Sequence, residues 1–347
     1  MGSLVGLEKS IKAEANRLGF SLCGITSANP LQEYPRYESW LANGYHAGMK
    51  YLESTYHRES RKDPRGLFPE VKSILCLAYP YLLSDFNLEP QPGASLIAGY
   101  AAGIDYHLEI PEKLASLVNH IESVVGLTFK FKIYTDSTPV LERELARRAG
   151  LGWIGKNSCL ISPEFGSAFL LAEVFLNFPL IEDEPFILDR CGTCRKCIET
   201  CPTQAINPDR TINSNQCISY HNIENKDLIP EEITQKMGGW LFGCDICQVV
   251  CPWNKLAIKN THLGFQHKEL LGFLLLTQDG FSERFHRSPI SRAKYFGFIR
   301  NTLIILGNQG NVDDIHAVEQ FIQANSETEL TDLAQRIIKQ IKNKPPH

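Results

Sequence analysis

Eight of the 11 cysteines of this 347-residue chain fall between Cys191 and Cys251, and that crowding constrains the fold more than any other feature. A chain of this length buries a sizeable core without disulfides. Clustered thiols in such a chain argue for metal and against a disulfide framework. The spacing narrows the metal. Cys191-Gly-Thr-Cys194-Arg-Lys-Cys197-Ile-Glu-Thr-Cys201-Pro202 is a C-x2-C-x2-C-x3-C-P run, followed by Cys217 and by Cys244-Asp-Ile-Cys247-Gln-Val-Val-Cys251-Pro252. Two-residue steps let one loop wrap three thiolates around three irons of a 4Fe-4S cubane, while the fourth cysteine leads to the neighbouring cluster. That cross-over predicts Cys191, Cys194, Cys197 and Cys251 on one cluster, and Cys201, Cys217, Cys244 and Cys247 on the other. Two zinc sites also use eight thiolates, but zinc pairs are usually C-x2-C knuckles well separated in sequence. Cys217 lies 27 positions before Cys244 instead of three, so the segment between them, with Tyr220, His221 and Trp240, reads as an insertion with room for a function of its own. Two clusters mean electron transfer; the cysteines alone do not say to what.

The rest of the chain reads as two flanking units. Residues 8–18 pattern as a helix with Ile11, Ala15 and Leu18 on one stripe, and Phe20–Thr26 as a strand. Ser73–Tyr79 and Ala168–Leu176 are nearly continuous apolar runs, as expected of strands buried on both faces. Between them Pro111–Val125 reads as a helix, and Phe129–Tyr134 alternates like a half-buried strand. The first 180 residues thus predict one α/β domain, followed by an acidic linker at 181–189 and a cluster module to about residue 260. From 261 to 347 the chain is helical in character. Arg292–Gly307 and Val312–Asn325 read as an antiparallel pair resembling a single HEAT-like unit, with a further helix at Glu329–Ile341.

The net charge of −4 excludes a uniformly basic nucleic-acid binder but leaves room for a local basic face. Arg284, Arg287, Arg292, Lys294 and Arg300 are interleaved with Phe285, Tyr295 and Phe296. The cations suit phosphates and the rings suit bases, although the charged face of an amphipathic helix gives the same pattern. Arg58, Arg61, Lys62 and Arg65 form a second basic cluster. No apolar stretch approaches the ~18 residues of a membrane span, and the N-terminus has no apolar signal region, which predicts a cytosolic protein.

Residues 133–157, IYTDSTPVLERELARRAGLGWIGKN, hold the best candidate for chemistry. Asp136 follows an expected strand, with Thr138 as cap and Pro139 as first residue of a helix to Arg148. Open α/β sheets place their chemistry where strand ends meet helix N-termini, which makes Asp136 a candidate general acid; the plain alternative is a helix cap. The glycine-rich turn from Gly150 to Asn157 allows close backbone approach to something flat or phosphorylated, without a Walker or Rossmann frame.

On YTDSTPVLERELARRAGLGWIGKN, SPEFGSAFLLAEV and the split cysteine set ending GCDICQVVCPWN, the chain resembles the epoxyqueuosine reductases from its N-terminus to about Ile305. These are cobalamin-dependent iron–sulfur enzymes of tRNA modification. The resemblance implies an α/β domain at 1–180 that holds cobalamin, a bacterial-ferredoxin-like module of two 4Fe-4S clusters at 181–260, and a HEAT-like helical region at 261–347 that contacts tRNA. Electrons from the clusters would reach the cobalt, and the epoxide oxygen of epoxyqueuosine at the wobble position would leave as water to give queuosine. The family's proton donor falls on Asp136, and its cobalamin contacts fall on Arg61, Ala98, Asp136, Leu160, Leu171, Ser219, Ile229 and Asp245. A monomer acting on the anticodon stem-loop, supplied by an external low-potential electron donor, completes the expectation. A carboxylic acid with a raised pKa beside a buried corrin suits protonation of a departing alkoxide. Asp105-Tyr106-His107 does not continue as D-x-H-x-x-G, so no histidine ligand to cobalt is expected. Two other readings share parts of the pattern. A reductive dehalogenase also joins a corrinoid to two clusters but usually carries a twin-arginine signal, which this N-terminus does not show. A plain electron carrier would take up clusters and no corrinoid.

Overall fold

The two apolar runs form the central strands of a four-stranded sheet. In the computed structural model, which describes residues 6–84, 94–259, 263–325 and 328–344, the strands are β1 (Leu22–Ser27), β2 (Ser73–Pro80), β3 (Phe131–Tyr134) and β4 (Phe169–Leu176). Their spatial order is β1-β2-β4-β3, and every pairing is antiparallel, with Ile25 opposite Leu75, Leu75 opposite Val174, and Val174 opposite Ile133. The rule for open parallel sheets therefore does not locate the site here. Asp136 follows an edge strand of an antiparallel sheet.

Both faces are covered, which is why the central strands read as unbroken apolar runs. Leu75, Leu77, Val174 and Leu176 pack against α1 (Leu7–Arg17) and α2 (Tyr106–Val125) through Ile11, Leu114, Leu117 and Ile121. Ile74, Cys76, Ala78 and Phe175 point the other way, onto Leu145 and Ala146 of α3 (Glu142–Arg148). Helix α3 begins later than expected: its cap is Leu141, with no side-chain bond, and Thr138 does not cap it. The chain from Thr135 to Val140 is used up in tight turns, Ser137 N–H donating to the Thr135 carbonyl at 2.6 Å and Val140 N–H to that of Thr138 at 2.7 Å. Asp136 sits in this bend with φ 54°, in the left-handed region.

The glycine-rich turn closes on the protein itself. A Cβ on Gly152 would overlap the Ile161 carbonyl, and one on Gly155 would overlap the Ile161 side chain, because Trp153–Ile154 pairs with Leu160–Ile161 as a short hairpin. The expected close approach to a flat or phosphorylated ligand is thus an approach to the chain's own strand.

A third core runs through the C-terminal helices α4 (Lys294–Gln309), α5 (Ile315–Ala324) and α6 (Thr328–Lys342), where α4 and α5 each pack on α6. Phe298, Leu303, Leu330 and Ile337 share this core with Ile218, Ile233, Trp240 and Phe242 from the segment between Cys217 and Cys244. Arg300 stitches the two together. It is 0 % exposed and donates to the carbonyls of His221 at 2.7 Å and Asn225 at 2.9 Å and to that of Asp227. The expectation that Arg300 binds RNA is corrected: a guanidinium closed in by carbonyls in the core reaches no phosphate. Phe285 is buried in the same core and offers no ring to a base. Among the described residues no helix is long and apolar enough to cross a membrane.

Candidate functional site

The cysteines fall into two groups in space. Burial pushes the Cys251 thiol up to about 11, and the nearby Cys191, Cys197 and Cys194 thiols add to the rise. Burial likewise raises Cys197, with Cys191 and Cys194 as the neighbouring thiols. In the other group burial lifts Cys217, with Cys201 beside it, and lifts Cys244 far above its ordinary range, with Cys217 and Cys201 beside it. Cys247 is raised by burial first, then by Cys159, Cys244 and Cys217. Donors are already in place for thiolates. The backbone N–H groups of Ser219 and Tyr220 meet Cys217, that of Ile246 meets Cys244 and that of Trp253 meets Cys251. Ala205 N–H lies 3.4 Å from Cys201 Sγ, and Trp153 Nε1 lies 3.4 Å from Cys191 Sγ. N–H···S bonds stabilise cluster thiolates and tune their potential. Lys156 Nζ clamps the first loop through the carbonyls of Gly192 at 2.6 Å and Cys194 at 2.9 Å. The neighbours of each thiol follow the two expected quartets and donors are in place, while among the described residues no three of them are drawn in to metal-ligand spacing.

Beside them is a cavity of about 340 Å³ bounded by Tyr37, Leu52, Arg61, Asp136, Arg143 and Ser158. Its volume is in the range of small-molecule sites. Ser158 is held by Arg143 Nη1, 2.8 Å from the Ser158 Oγ. The next residue, Cys159, has its thiol pushed up to about 12 by burial and sits within electrostatic reach of Cys251, Cys197 and Asp245. Ser158 thus lines the cavity while its neighbour Cys159 lies within electrostatic reach of thiols of both groups, Cys251 and Cys197 on one side and Cys247 on the other. Arg61 faces no carboxylate within ion-pair distance among the described residues. Its Nη1 meets His57 Nδ1 at 2.7 Å and its guanidinium stands 5.3 Å from the Tyr37 ring centroid. The walls mix apolar side chains (Tyr37, Leu52, Val140, Ile154) with charged ones (Glu33, Glu142, Arg143, Arg210), and a half-buried cation without a carboxylate among them suits the amide and phosphate oxygens of a large cofactor such as cobalamin.

Asp136 opens into this cavity with its side chain 49 % exposed. Tyr106 Oη donates to its Oδ2 at 2.8 Å, His107 Nε2 stands 3.4 Å away and Arg292 Nη1 3.8 Å away. His107 Nδ1 also meets Asp105 Oδ1 at 2.8 Å, so only the doubly protonated ring donates to both carboxylates. Burial pushes the Asp136 carboxyl up, but the bonds from His107 and Tyr106 and the charge of Arg292 outweigh it and hold the group below the ordinary carboxylate range. The expectation of a raised pKa is therefore corrected for this conformation. The raised carboxyl is Glu142, pushed up to about 7 by burial and by the charge of Asp136, whose backbone N–H it accepts at 2.8 Å. Glu173 on β4 lies behind it, both oxygens buried without a hydrogen-bond partner, and burial raises its pKa far more.

The other sequence-derived positions divide. The Leu171 carbonyl accepts from Thr135 Oγ1 at 3.2 Å, next to Asp136. Asp245 is buried and accepts from Gly99 N–H at 2.6 Å, directly after Ala98, and burial pushes its carboxyl up to about 6. Tyr100 feels both Asp136 and Asp245, which ties these groups into one neighbourhood. Ser219 lies at the second quartet, donating its N–H to Cys217. Leu160 is buried in the core beneath α3, and the Ile229 side chain is turned into the third core, away from the cavity. Of the basic segment, Arg292 is bound to Glu224 at 2.6 Å and reaches the site itself. Arg284 pairs with Glu269 at 3.2 Å while Arg287 and Lys294 are exposed. Tyr106, His107, Glu142 and Glu224 were not picked out from sequence. The one local signal was Asp105 capping α2, which puts the next two side chains at a helix start.

Two sequence families match. One described as "Epoxyqueuosine reductase QueG, DUF1730" covers residues 61–137 and one described as "4Fe-4S double cluster binding domain" covers 190–254. Over 295 residues the chain is 42% identical to an epoxyqueuosine reductase of Cyclobacterium marinum, spanning 84% of this chain and 94% of that one. Over 303 residues it is 43% identical to one of Leadbetterella byssophila, spanning 86% and 97%. The structure of epoxyqueuosine reductase from Streptococcus thermophilus superposes with a TM-score of 0.87 at 28% identity, covering 99% of this chain and 92% of that chain. An epoxyqueuosine reductase crystallised with a tRNA-Tyr epoxyqueuosine-modified stem loop gives a TM-score of 0.81 at 26% identity, covering 98% and 100%.

Proposed function

Because the chain belongs to the epoxyqueuosine reductase family, we propose that it reduces epoxyqueuosine to queuosine in tRNA at the cavity beside Asp136. The observation that carries the assignment to this place is that Ser158 lines the ligand-sized cavity holding Asp136 while the next residue, Cys159, lies within electrostatic reach of Cys251, Cys197 and Cys247. The overall change takes up two electrons and two protons, breaks both C–O bonds of the epoxide, forms a carbon–carbon double bond and releases water. The double-cluster domain and a bound cobalamin supply low-potential electrons and a reducing cobalt centre.

In this reading Cys191, Cys194, Cys197 and Cys251 hold one cluster and Cys201, Cys217, Cys244 and Cys247 the other. Arg61, with Leu171 beside Thr135 and with Ala98 and Asp245 near Tyr100, holds the corrin. Asp136 takes a proton at Oδ2 from the doubly protonated His107 ring, passes it to the departing oxygen and is left as the carboxylate that Tyr106 and His107 hold, His107 being reprotonated from solvent. Arg292 and Glu224 orient the approach from the basic segment. Residues 1–180 act as the cofactor-binding unit, 181–260 as the ferredoxin-like unit and 261–347 as the tRNA-contacting helices, the last two sharing one core.

The test is an anaerobic assay of the reconstituted protein on an anticodon stem-loop carrying epoxyqueuosine, with and without cobalamin. Queuosine forms only with cobalamin; equal turnover in its absence would overturn the reading. Asp136→Asn retains iron and absorbance but loses turnover by a factor of about 10² to 10⁴, the usual scale for a general acid.

A further inference from the structure

Electrons must enter such a relay from outside, and the two quartets are not equally placed to receive them. Gly192, Thr193, Arg195 and Lys196 of the first cysteine loop are exposed, so the first quartet is the outer one. Immediately over it, the segment entering that loop lays apolar side chains on the surface: Ile187 is 85% and Leu188 57% exposed. Beneath them Phe186 stacks on Trp153 with ring centroids 5.7 Å apart, and Trp153 is the residue whose Nε1 lies 3.4 Å from Cys191 Sγ. Together with Arg36 and Arg210 these side chains bound a hollow of about 180 Å³.

Within the hollow the carboxylates Glu33 and Asp189 are paired with Arg36, Arg147 and Arg210, which leaves cations in excess. The Arg190 guanidinium lies 5.6 Å from the Phe186 ring centroid, and neither Arg190 nor Lys196 has an ion-pair partner among the described residues. An apolar centre with a charged rim is the anatomy of a transient protein interface, and small interfaces with electrostatic steering suit electron-transfer encounters.

We propose that this face docks the electron donor, an acidic protein carrying a low-potential one-electron centre. Its apolar edge sits on Ile187 and Leu188 and its carboxylates face Arg190 and Lys196. In each encounter the donor is oxidised by one electron and the outer cluster reduced by one, with no bond made or broken; two encounters supply one turnover. The proposal rests on the assignment of Cys191, Cys194, Cys197 and Cys251 to a cluster.

The test uses the full anaerobically reconstituted chain and a reduced acidic flavodoxin as probe, following bleaching of the cluster absorbance and the affinity of the complex. Two paired variants are compared with wild type, Ile187→Glu with Leu188→Glu and Arg190→Glu with Lys196→Glu, with dithionite as a small reductant that needs no docking. We expect flavodoxin-driven reduction to slow at least tenfold in both variants. The wild-type rate should fall with added salt, while iron content and dithionite bleaching stay unchanged. Wild-type rates of flavodoxin-driven reduction in both variants would overturn the docking site. A wild-type chain that rebuilds without roughly eight irons would instead overturn the cluster reading, and the docking proposal with it.

Discussion

Asp136 rests as a carboxylate although the reaction asks it for a proton, and its neighbours set the terms of that exchange. The hydrogen bond from His107 is the largest influence holding it down, and the same contact raises His107 against its own burial. A raised histidine contributes below its ordinary value of 6.5 and loses that contribution as pH climbs through its folded value. A lowered carboxylate contributes above its ordinary 3.8 and loses it as pH falls. The pair is therefore tightest between those two values. Glu142 works in the opposite sense, costing stability as pH rises from its ordinary 4.5 to about 7. His107→Gln should let Asp136 keep its proton to higher pH, moving the Asp136 limb of the single-turnover pH profile upward; an unmoved limb would show that His107 does not control it. Asp136 was legible because it lies inside one continuous motif. Its partners were not: Tyr106 and His107 begin α2 and Arg292 precedes α4, and nothing in the linear order places them around one carboxylate.

At the scale of the element, what the sequence conveys is burial, not direction. β2 and β4 read correctly as strands covered on both faces, but that pattern is the same whether neighbours run parallel or antiparallel, so the sheet order had to come from the structure. The start of α3 was misplaced for a related reason: Thr138 and Pro139 look like a cap and a first turn, yet the bend that presents Asp136 consumes them. Helix α4 opens under strain, since Lys294 has φ 61° and ψ 169°, a conformation almost confined to glycine. Lys294→Gly is expected to stabilise the protein by about 1 kcal/mol in denaturant unfolding, since strain of this kind costs roughly 1–3 kcal/mol. A loss of stability would mean that the lysine side chain contributes more than its backbone costs.

Across the whole molecule, Arg300 is parted from the rest of the basic segment, buried in the core while Arg287 and Lys294 stay exposed. Arg300→Met leaves the carbonyls of His221, Asn225 and Asp227 without their donor, and should lower unfolding free energy by about 3 kcal/mol. Folded Arg300→Met protein should keep the wild-type salt dependence of tRNA binding. Arg287→Glu should do the reverse, weakening stem-loop binding and flattening its salt slope by about one unit per lost phosphate contact, with unfolding unchanged. The double-cluster domain was legible at this scale because a C-x2-C-x2-C-x3-C-P run is local arithmetic. The shared core was not, because the residues between Cys217 and Cys244 carry no mark of the helices they join.

That Cys251 sits with Cys191, Cys194 and Cys197 has a mechanical side. A cubane on these four ties two distant points of the chain, and the enclosed loop contains Ile218, Ile233, Trp240 and Phe242, the strip on which the C-terminal helices rest. Ligation by metal is folding free energy as well as chemistry. Iron bound here would thus be a rivet before it is a wire, and a cell running short of it would lose the shape of the C-terminal half together with the current.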